Sequence, residues 1–193
     1  DRNFVYNLIA PYSLLPKSQV QHNLDIVRYI GIDTDDPSLH MTLLPEEIEW
    51  ARLVLQSIGW DGEKSLVAVL PGAGKPGNRW PVTSFAQAAQ RLVDEFQVLL
   101  FTSWGPKEED MIDVLLSTIN AFQIPETSTS IRKLAAVLSW CNLVLCNDTG
   151  VMHVAAALGI PFVAPFGPTD PADWKPPGDC FVALYAEDHK ITS

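Results

Sequence analysis

Short apolar runs alternate with amphipathic segments along most of this chain, and this alternation constrains its fold more than any other feature. The apolar runs predict strands at residues 66–70, 98–102, 143–146, 162–164 and 181–184, and a shorter one near Phe122. The amphipathic segments predict helices at about residues 19–29, 45–58, 84–95, 107–118, 131–140 and 151–158. Strands that alternate with helices of this length form parallel sheets. The predicted fold class is α/β, a Rossmann-like parallel sheet with helices on both faces.

Composition narrows the function classes. The chain has 193 residues, of which 47% are hydrophobic and 19% charged, so it can form a sizeable core. Its net charge of −10 predicts a soluble protein that is repelled by nucleic acid and by anionic membranes. No apolar run approaches the roughly 18–20 residues that span a bilayer. The three cysteines lack the spacing of zinc ligands or of a disulfide framework, which favours a reducing cytoplasm.

The segment at residues 147–159 predicts a strand end, a sharp polar turn and a short helix closed by Gly159. Amide groups at such a helix start, with the positive end of the helix dipole, favour an anion. Thr149 can cap the helix, Gly150 permits close approach of a ligand to the backbone, and His153 follows one turn later on the same face. A phosphate site is one interpretation. A simple helix cap beside a core histidine remains the alternative.

The loop at residues 71–81 contains the spacing G-x-G-x-x-G, formed by Gly72, Gly74 and Gly77. In the dinucleotide-binding fingerprint the third glycine lies inside a helix, whereas Pro76 and Pro81 delay the helix here. We therefore reject that fingerprint.

The same loop carries two cations, Lys75 and Arg79, and a glycine-rich loop with cations suits a phosphate group. The alternative is a solvated glycine loop. Arg79 has a second possible partner besides a phosphate, because a residue beside Trp80 can pair with an acid at a helix start.

Two further loops follow predicted strands. Glu108 and Glu109 come after Trp104-Gly105-Pro106 at a helix start, where a carboxylate can accept hydrogen bonds from ribose hydroxyls or simply favour the helix. The hydroxyl-rich residues 127–130 precede another helix, and an N-cap alone explains them.

Four motifs in order carry a resemblance to a known family. They are Pro71-Gly72-Ala73 with Arg79-Trp80-Pro81, Trp104-Gly105-Pro106 with the two glutamates, Asp148-Thr149-Gly150-x-x-His153, and Phe166-Gly167-Pro168-Thr169-Asp170-Pro171. Over about residues 45–185 the chain resembles the C-terminal half of the lipopolysaccharide heptosyltransferases, glycosyltransferase family 9. The last two motifs are specific as a pair.

The resemblance implies one half of a GT-B glycosyltransferase, in which two Rossmann-like domains face each other across a cleft. Residues 46–193 would be the nucleotide-sugar-binding domain, and residues 1–45 a linker and the trailing edge of a missing N-terminal domain. That missing domain would supply the catalytic carboxylate and the acceptor surface, so no catalytic residue is assigned here. Neither a metal nor a cofactor is implied.

The resemblance also implies roles for individual residues. Asp148, Thr149 and Gly150 would bind the phosphates and sugar of ADP-heptose, with support from His153. Glu108 or Glu109 would bind the ribose. The 71–81 loop would close on the pyrophosphate through Gly72, Ala73, Lys75 and Arg79.

One position departs from the family pattern. A lysine typically stands two residues before the tryptophan of this loop, and here that residue is Asn78. Lys75 is the candidate substitute. Two other functions stay open, a nucleotide-sugar-binding module without transferase activity and a sugar-nucleotide epimerase of similar fold.

The function implied is transfer of heptose from ADP-heptose to the inner core of lipopolysaccharide. The partners are then the nucleotide sugar and a lipid-linked saccharide, the latter reached through the missing domain. The expected location is the cytoplasm, at the inner face of the inner membrane, and the chain alone is expected to be inactive.

Overall fold

Six strands form one sheet in which every pairing is parallel. The computed structural model describes Ala10 and residues 17–185, so parts of the two predicted domain ranges (1–45 and 46–193) lie outside the described residues. The strands are β1 Leu66–Leu70, β2 Leu99–Thr102, β3 Phe122–Gln123, β4 Leu143–Cys146, β5 Phe162–Phe166 and β6 Phe181–Tyr185. Their order across the sheet is β3-β2-β1-β4-β5-β6, which is the order of the Rossmann fold.

Helices connect the strands, as the sequence predicts. They are α1 Gln19–Tyr29, α2 Pro45–Ser57, α3 Val82–Phe96, α4 Glu109–Leu116, α5 Pro125–Thr129, α6 Ile131–Leu138, α7 Gly150–Ala157 and α8 Pro171–Trp174. Proline opens α2, α5 and α8, where its missing amide hydrogen leaves no helical bond unmade. Among residues 17–185, no helix combines the length and the apolar character needed to cross a bilayer.

The sheet is covered on both faces, which confirms the predicted fold class. Alternate residues of β1 point to opposite sides, since Leu66, Ala68 and Leu70 belong to one core and Val67 and Val69 to the other. The first core is closed by α2, α6 and α7, and the second by α3 and α4. Cys141 and Cys146 are buried in the first core, and burial raises the pKa of the Cys146 thiol to about 12.

Several helices differ from the sequence-based prediction, among them α4, which is two residues shorter at each end than predicted. Helix α3 begins two residues earlier than expected, because the Pro81 carbonyl accepts the Ser84 amide at 2.9 Å. The hydroxyl-rich segment before α6 forms α5, a short helix in which three hydroxyls hydrogen-bond to backbone carbonyls of the preceding turn. The other addition is α8, where the Asp170 side chain accepts the Ala172 amide at 2.7 Å.

The strand order reverses between β1 and β4, and this reversal positions the candidate site. The chain runs from β1 outward through β2 to β3, then returns to the other side of β1 for β4. The loops that follow β1 and β4 therefore diverge and leave a crevice at the carboxyl edge of the sheet. The predicted phosphate loops at residues 71–81 and 147–150 follow these two strands.

The central packing can be tested at Phe101, which is fully buried in the middle of β2. We expect Phe101→Ala to lower the free energy of unfolding by about 3–5 kcal/mol, because it leaves a cavity between the sheet and its helices. Phe96→Ala is the matched control, since that ring is 66% exposed at the end of α3. Urea denaturation measures both, and equal losses for the two variants would contradict the assigned core.

Candidate functional site

Two adjoining cavities occupy the crevice at the carboxyl edge of the sheet. Cavity 1 has a volume of about 550 Å³ and lies among the loops after β1 and β2 and the start of α6. Cavity 2 has a volume of about 390 Å³ and lies among the loops after β1, β4 and β5. Gly74 and Thr149 line both cavities, so the two meet at the strand-order reversal. Each volume is in the range of small-molecule sites.

A fully buried side chain, Asn147, joins the loops on either side of this crevice. Its side-chain oxygen accepts the Trp80 amide at 2.9 Å, and its side-chain nitrogen donates to the Pro71 carbonyl at 2.7 Å. Asn147 stands directly after β4, whereas its partners stand at the two ends of the loop after β1. The amide therefore holds the 71–81 loop against the end of β4.

Glu108 forms the carboxylate of cavity 1. Its Oε2 atom accepts the Gly105 amide at 2.7 Å, and Oε1 lies 3.5 Å from the Arg79 guanidinium. Arg79 also donates to the Ala73 carbonyl at 2.8 Å. Gly72 packs closely here, because a β-carbon added at this position would lie 2.7 Å from the carboxyl carbon of Glu108 and the carboxylate would have to move. Arg79 thus pairs with the acid at a helix start, which was one of its two predicted partner classes.

Asp148 is the carboxylate of cavity 2, and three loops meet on it. The Asn78 side-chain nitrogen donates to Asp148 Oδ2 at 2.9 Å, and the Thr169 hydroxyl donates to the same oxygen at 2.6 Å. Asn78 follows β1, Asp148 follows β4 and Thr169 follows β5. We call this arrangement the Asp148 clasp. Asn78, the departure from the family pattern, is a buried member of it.

The start of α7 lies where the two cavities meet. Thr149 caps the helix by accepting the Val151 amide on its hydroxyl at 3.1 Å, as the sequence predicts. Gly150 is exposed at the first helical position and lines cavity 2. His153, one turn further on, lines the same cavity; partial burial lowers the pKa of its imidazole, and the nearby Asp148 charge acts in the opposite direction.

The predicted site residues separate into three groups. Gly72, Ala73, Arg79 and Glu108 line cavity 1, and Lys75, Asp148, Gly150 and His153 line cavity 2, with Thr149 in both. Lys75 is exposed at the rim. Glu109 is exposed at the first residue of α4 and is not among the residues that line either cavity. Of the two glutamates proposed for the ribose, Glu108 alone faces a cavity.

No sequence pattern singles out three of the residues that line these cavities. The buried Ser103 and Thr127 hydroxyls lie 2.7 Å apart in the wall of cavity 1, although Thr127 had been explained by capping alone. Trp174, 40% exposed on α8, lines cavity 2. A tryptophan three residues beyond a loop motif carries no local signal of its role, and the two hydroxyls belong to positions 24 residues apart.

Metal binding finds no support in this part of the chain. Among residues 17–185, no three His, Cys, Asp or Glu side chains are grouped so that they could hold a metal ion. The two cavity carboxylates are instead engaged by protein donors, Glu108 by the Gly105 amide and Asp148 by its clasp.

Fold and site together define a Rossmann-like α/β domain with a two-chamber crevice at its strand-order reversal. The family described as glycosyltransferase family 9 (heptosyltransferase) matches residues 14–191. The chain therefore belongs to glycosyltransferase family 9.

Individual relatives agree with this assignment. The chain is 30% identical over 171 residues to lipopolysaccharide heptosyltransferase 2 of Escherichia coli K12, covering 80% of this chain and 48% of that protein. It is 32% identical over 121 residues to lipooligosaccharide heptosyltransferase 2 of Haemophilus influenzae, covering 60% and 35%. The chain thus spans about half the length or less of these curated relatives.

Solved structures agree on the fold. A family 9 glycosyltransferase from Veillonella parvula matches with a TM-score of 0.81 at 25% identity, covering 92% of this chain and 51% of that one. The E. coli heptosyltransferase WaaC with ADP matches with a TM-score of 0.69 over 98% of this chain and 56% of that one; at 21% identity this likeness concerns the fold alone.

The packing of Gly72 against Glu108 can be tested by adding one methyl group. We expect Gly72→Ala to lower the free energy of unfolding by about 1–3 kcal/mol, because the methyl group displaces the carboxylate from its Gly105 amide and from Arg79. Gly74→Ala is the matched control, since nothing lies within 4 Å of a β-carbon added there. Chemical denaturation measures both. A Gly72→Ala protein as stable as the Gly74→Ala protein would contradict this packing.

Proposed function

We propose that this chain is the nucleotide-sugar-binding part of a bacterial glycosyltransferase that transfers heptose from ADP-heptose to the inner core of lipopolysaccharide. The observation that carries the proposal is the pair of cavities that meet at Gly74 and Thr149, in a chain that belongs to family 9. A nucleotide sugar has two bulky ends joined by a diphosphate. Two cavities that adjoin each other match that shape, and the helix start between them favours the negative charge of the diphosphate.

Cavity 1 would hold the nucleoside. Its wall combines apolar residues with hydroxyls and one carboxylate, and the apolar share includes Leu70, Ile131 and Leu134. Glu108 would accept hydrogen bonds from the ribose hydroxyls. The Gly105 amide and Arg79 orient that carboxylate from within the protein, so its direction is set before a ligand enters.

The diphosphate would lie where the cavities meet, against the start of α7. Because the Thr149 hydroxyl and carbonyl already accept the Val151 and Met152 amides, the phosphates would be held by the Gly150 amide, where the glycine lets the backbone come close to the ligand. Lys75, at the rim of cavity 2, would supply a positive charge. Arg79 is engaged with Ala73 and Glu108, so we assign it to orienting the loop rather than to the phosphates.

The chemistry would require a second domain across the cleft. A carboxylate there would remove the proton from the acceptor hydroxyl, whose oxygen attacks the anomeric carbon while ADP leaves. The residues of this chain would stabilise the negative charge that develops on the leaving diphosphate, through the positive end of the α7 dipole, the Gly150 amide and the Lys75 ammonium. No metal or other cofactor is part of the proposal.

The acceptor and the location follow from the same proposal. The acceptor would be a lipid-linked saccharide, held by the other domain. The reaction would take place in the cytoplasm, at the inner face of the inner membrane. The names of the E. coli and H. influenzae relatives support the acceptor class.

Nucleotide binding is the first test. We expect ADP to bind to this chain and to bind equally well with Mg²⁺ or with EDTA, because amides and a lysine, rather than a metal, would neutralise the diphosphate. Titration calorimetry measures the affinity, and amide resonances of Gly74, Thr149 and Gly150 should shift. A folded chain that shows neither heat nor shifts at millimolar ADP would contradict the proposal, and a strict need for Mg²⁺ would contradict its metal-free form.

The charge of Lys75 provides the second test. We expect Lys75→Ala to raise the dissociation constant for ADP by about threefold to tenfold, the loss of one charge-assisted contact weakened by solvent at an exposed position. Lys64→Ala is the matched control, since Lys64 is also exposed but precedes the amino end of β1. If Lys75→Ala binds ADP as the control does, Lys75 does not take the place of the lysine missing at position 78.

A further inference from the structure

Cavity 2 has a chemical character that differs from that of a phosphate site. Its charged and polar side chains include one carboxylate, Asp148, with the neutral Asn78 and Thr169 bound to it. Burial opposes a charge on His153, and Lys75 stands at the exposed rim. The deeper wall therefore carries negative charge, which repels a second phosphate but accepts hydrogen bonds from neutral hydroxyls.

The Asp148 clasp also sets which carboxylate oxygen a ligand can use. Both Asn78 and Thr169 donate to Oδ2, at 2.9 and 2.6 Å. Oδ1 takes part in neither of these bonds. A lysine at position 78 would neutralise Asp148 with an ion pair, whereas the asparagine holds the carboxylate without cancelling its charge. The arrangement suits a ligand that brings several hydroxyl donors.

One wall of this cavity is aromatic. Trp174 closes α8, and 40% of its surface is exposed. The amino end of this helix is held in place by two hydrogen bonds. The Thr169 hydroxyl donates to Asp148, and the Asp170 side chain accepts the Ala172 amide. An indole ring combines a large apolar face with a polar N–H, and both can contact a sugar, whose ring carries C–H groups on its faces and hydroxyls at its edge.

We propose that Trp174 is a specificity-determining residue, which packs against an apolar face of the sugar in cavity 2 while Asp148 accepts the sugar's hydroxyls. This inference rests on the proposed function and adds to it the residue that distinguishes a nucleotide sugar from the bare nucleotide. ADP alone would fill cavity 1 and the junction at Thr149 and would leave Trp174 uncovered. The contribution of Trp174 therefore appears in the affinity for the nucleotide sugar and not in the affinity for ADP.

The experiment measures two dissociation constants, for ADP and for ADP-heptose, by titration calorimetry on the unaltered chain and three variants. We expect Trp174→Ala to weaken ADP-heptose binding by about tenfold and ADP binding by less than about twofold, through lost apolar contact with the sugar. Trp174→Phe, which keeps an aromatic face, should stay within about threefold of the unaltered chain for both ligands. Phe96→Ala is the control for removal of an exposed aromatic ring remote from the cavities.

The outcomes separate this inference from the function on which it rests. If Trp174→Ala weakens both ligands equally, or neither, while the unaltered chain binds ADP, the inference is overturned and the proposed function stands. If Trp174→Phe loses as much ADP-heptose affinity as Trp174→Ala and remains folded by circular dichroism, the aromatic face is not the cause and the inference is likewise overturned. If the unaltered chain binds neither ligand, both fail together.

Discussion

The crevice depends on one buried amide. Asn147 accepts the Trp80 amide and donates to the Pro71 carbonyl, so it joins the end of β4 to both ends of the loop after β1. A buried amide of this kind is stable only when its polar atoms are paired, and any movement of the loop would leave them without partners. The opening at the strand-order reversal therefore has a defined width. The residues that line the crevice, from Gly72 to Asp148, are positioned relative to the Asn147 side chain.

Two carboxylates within this frame are oriented by different chemistry. Glu108 accepts a backbone amide and lies near a guanidinium, whereas Asp148 accepts a side-chain amide and a hydroxyl. The first cavity thus contains a carboxylate partly compensated by Arg79, and the second a carboxylate whose charge is retained. A molecule with a different group at each end would experience two different environments in one continuous crevice.

The strands could be predicted closely from sequence, because buried parallel strands are apolar runs bounded by breakers; the predicted and observed bounds of β1 and β4 agree. The capping role of Thr149 is equally local and was predicted. The short helices α5 and α8 were not, since hydroxyls and prolines also occur in turns. Contacts such as Asn78 with Asp148, or Arg79 with Glu108, join residues 70 and 29 positions apart. They depend on strand order and loop path, which no local pattern encodes.

The Asp148 clasp also has a consequence for how the protein reaches its native state. The hydrogen bond from Asn78 to Asp148 joins residues 70 positions apart. The entropy cost of closing so long a loop is small only after β1 and β4 have paired. We therefore expect cavity 2 to form late in folding. A ligand held there would bind molecules with a completed central sheet and would have little affinity for partly folded ones. Occupancy of the cavity would accordingly slow the opening of the sheet at its centre, the point where the chain changes direction.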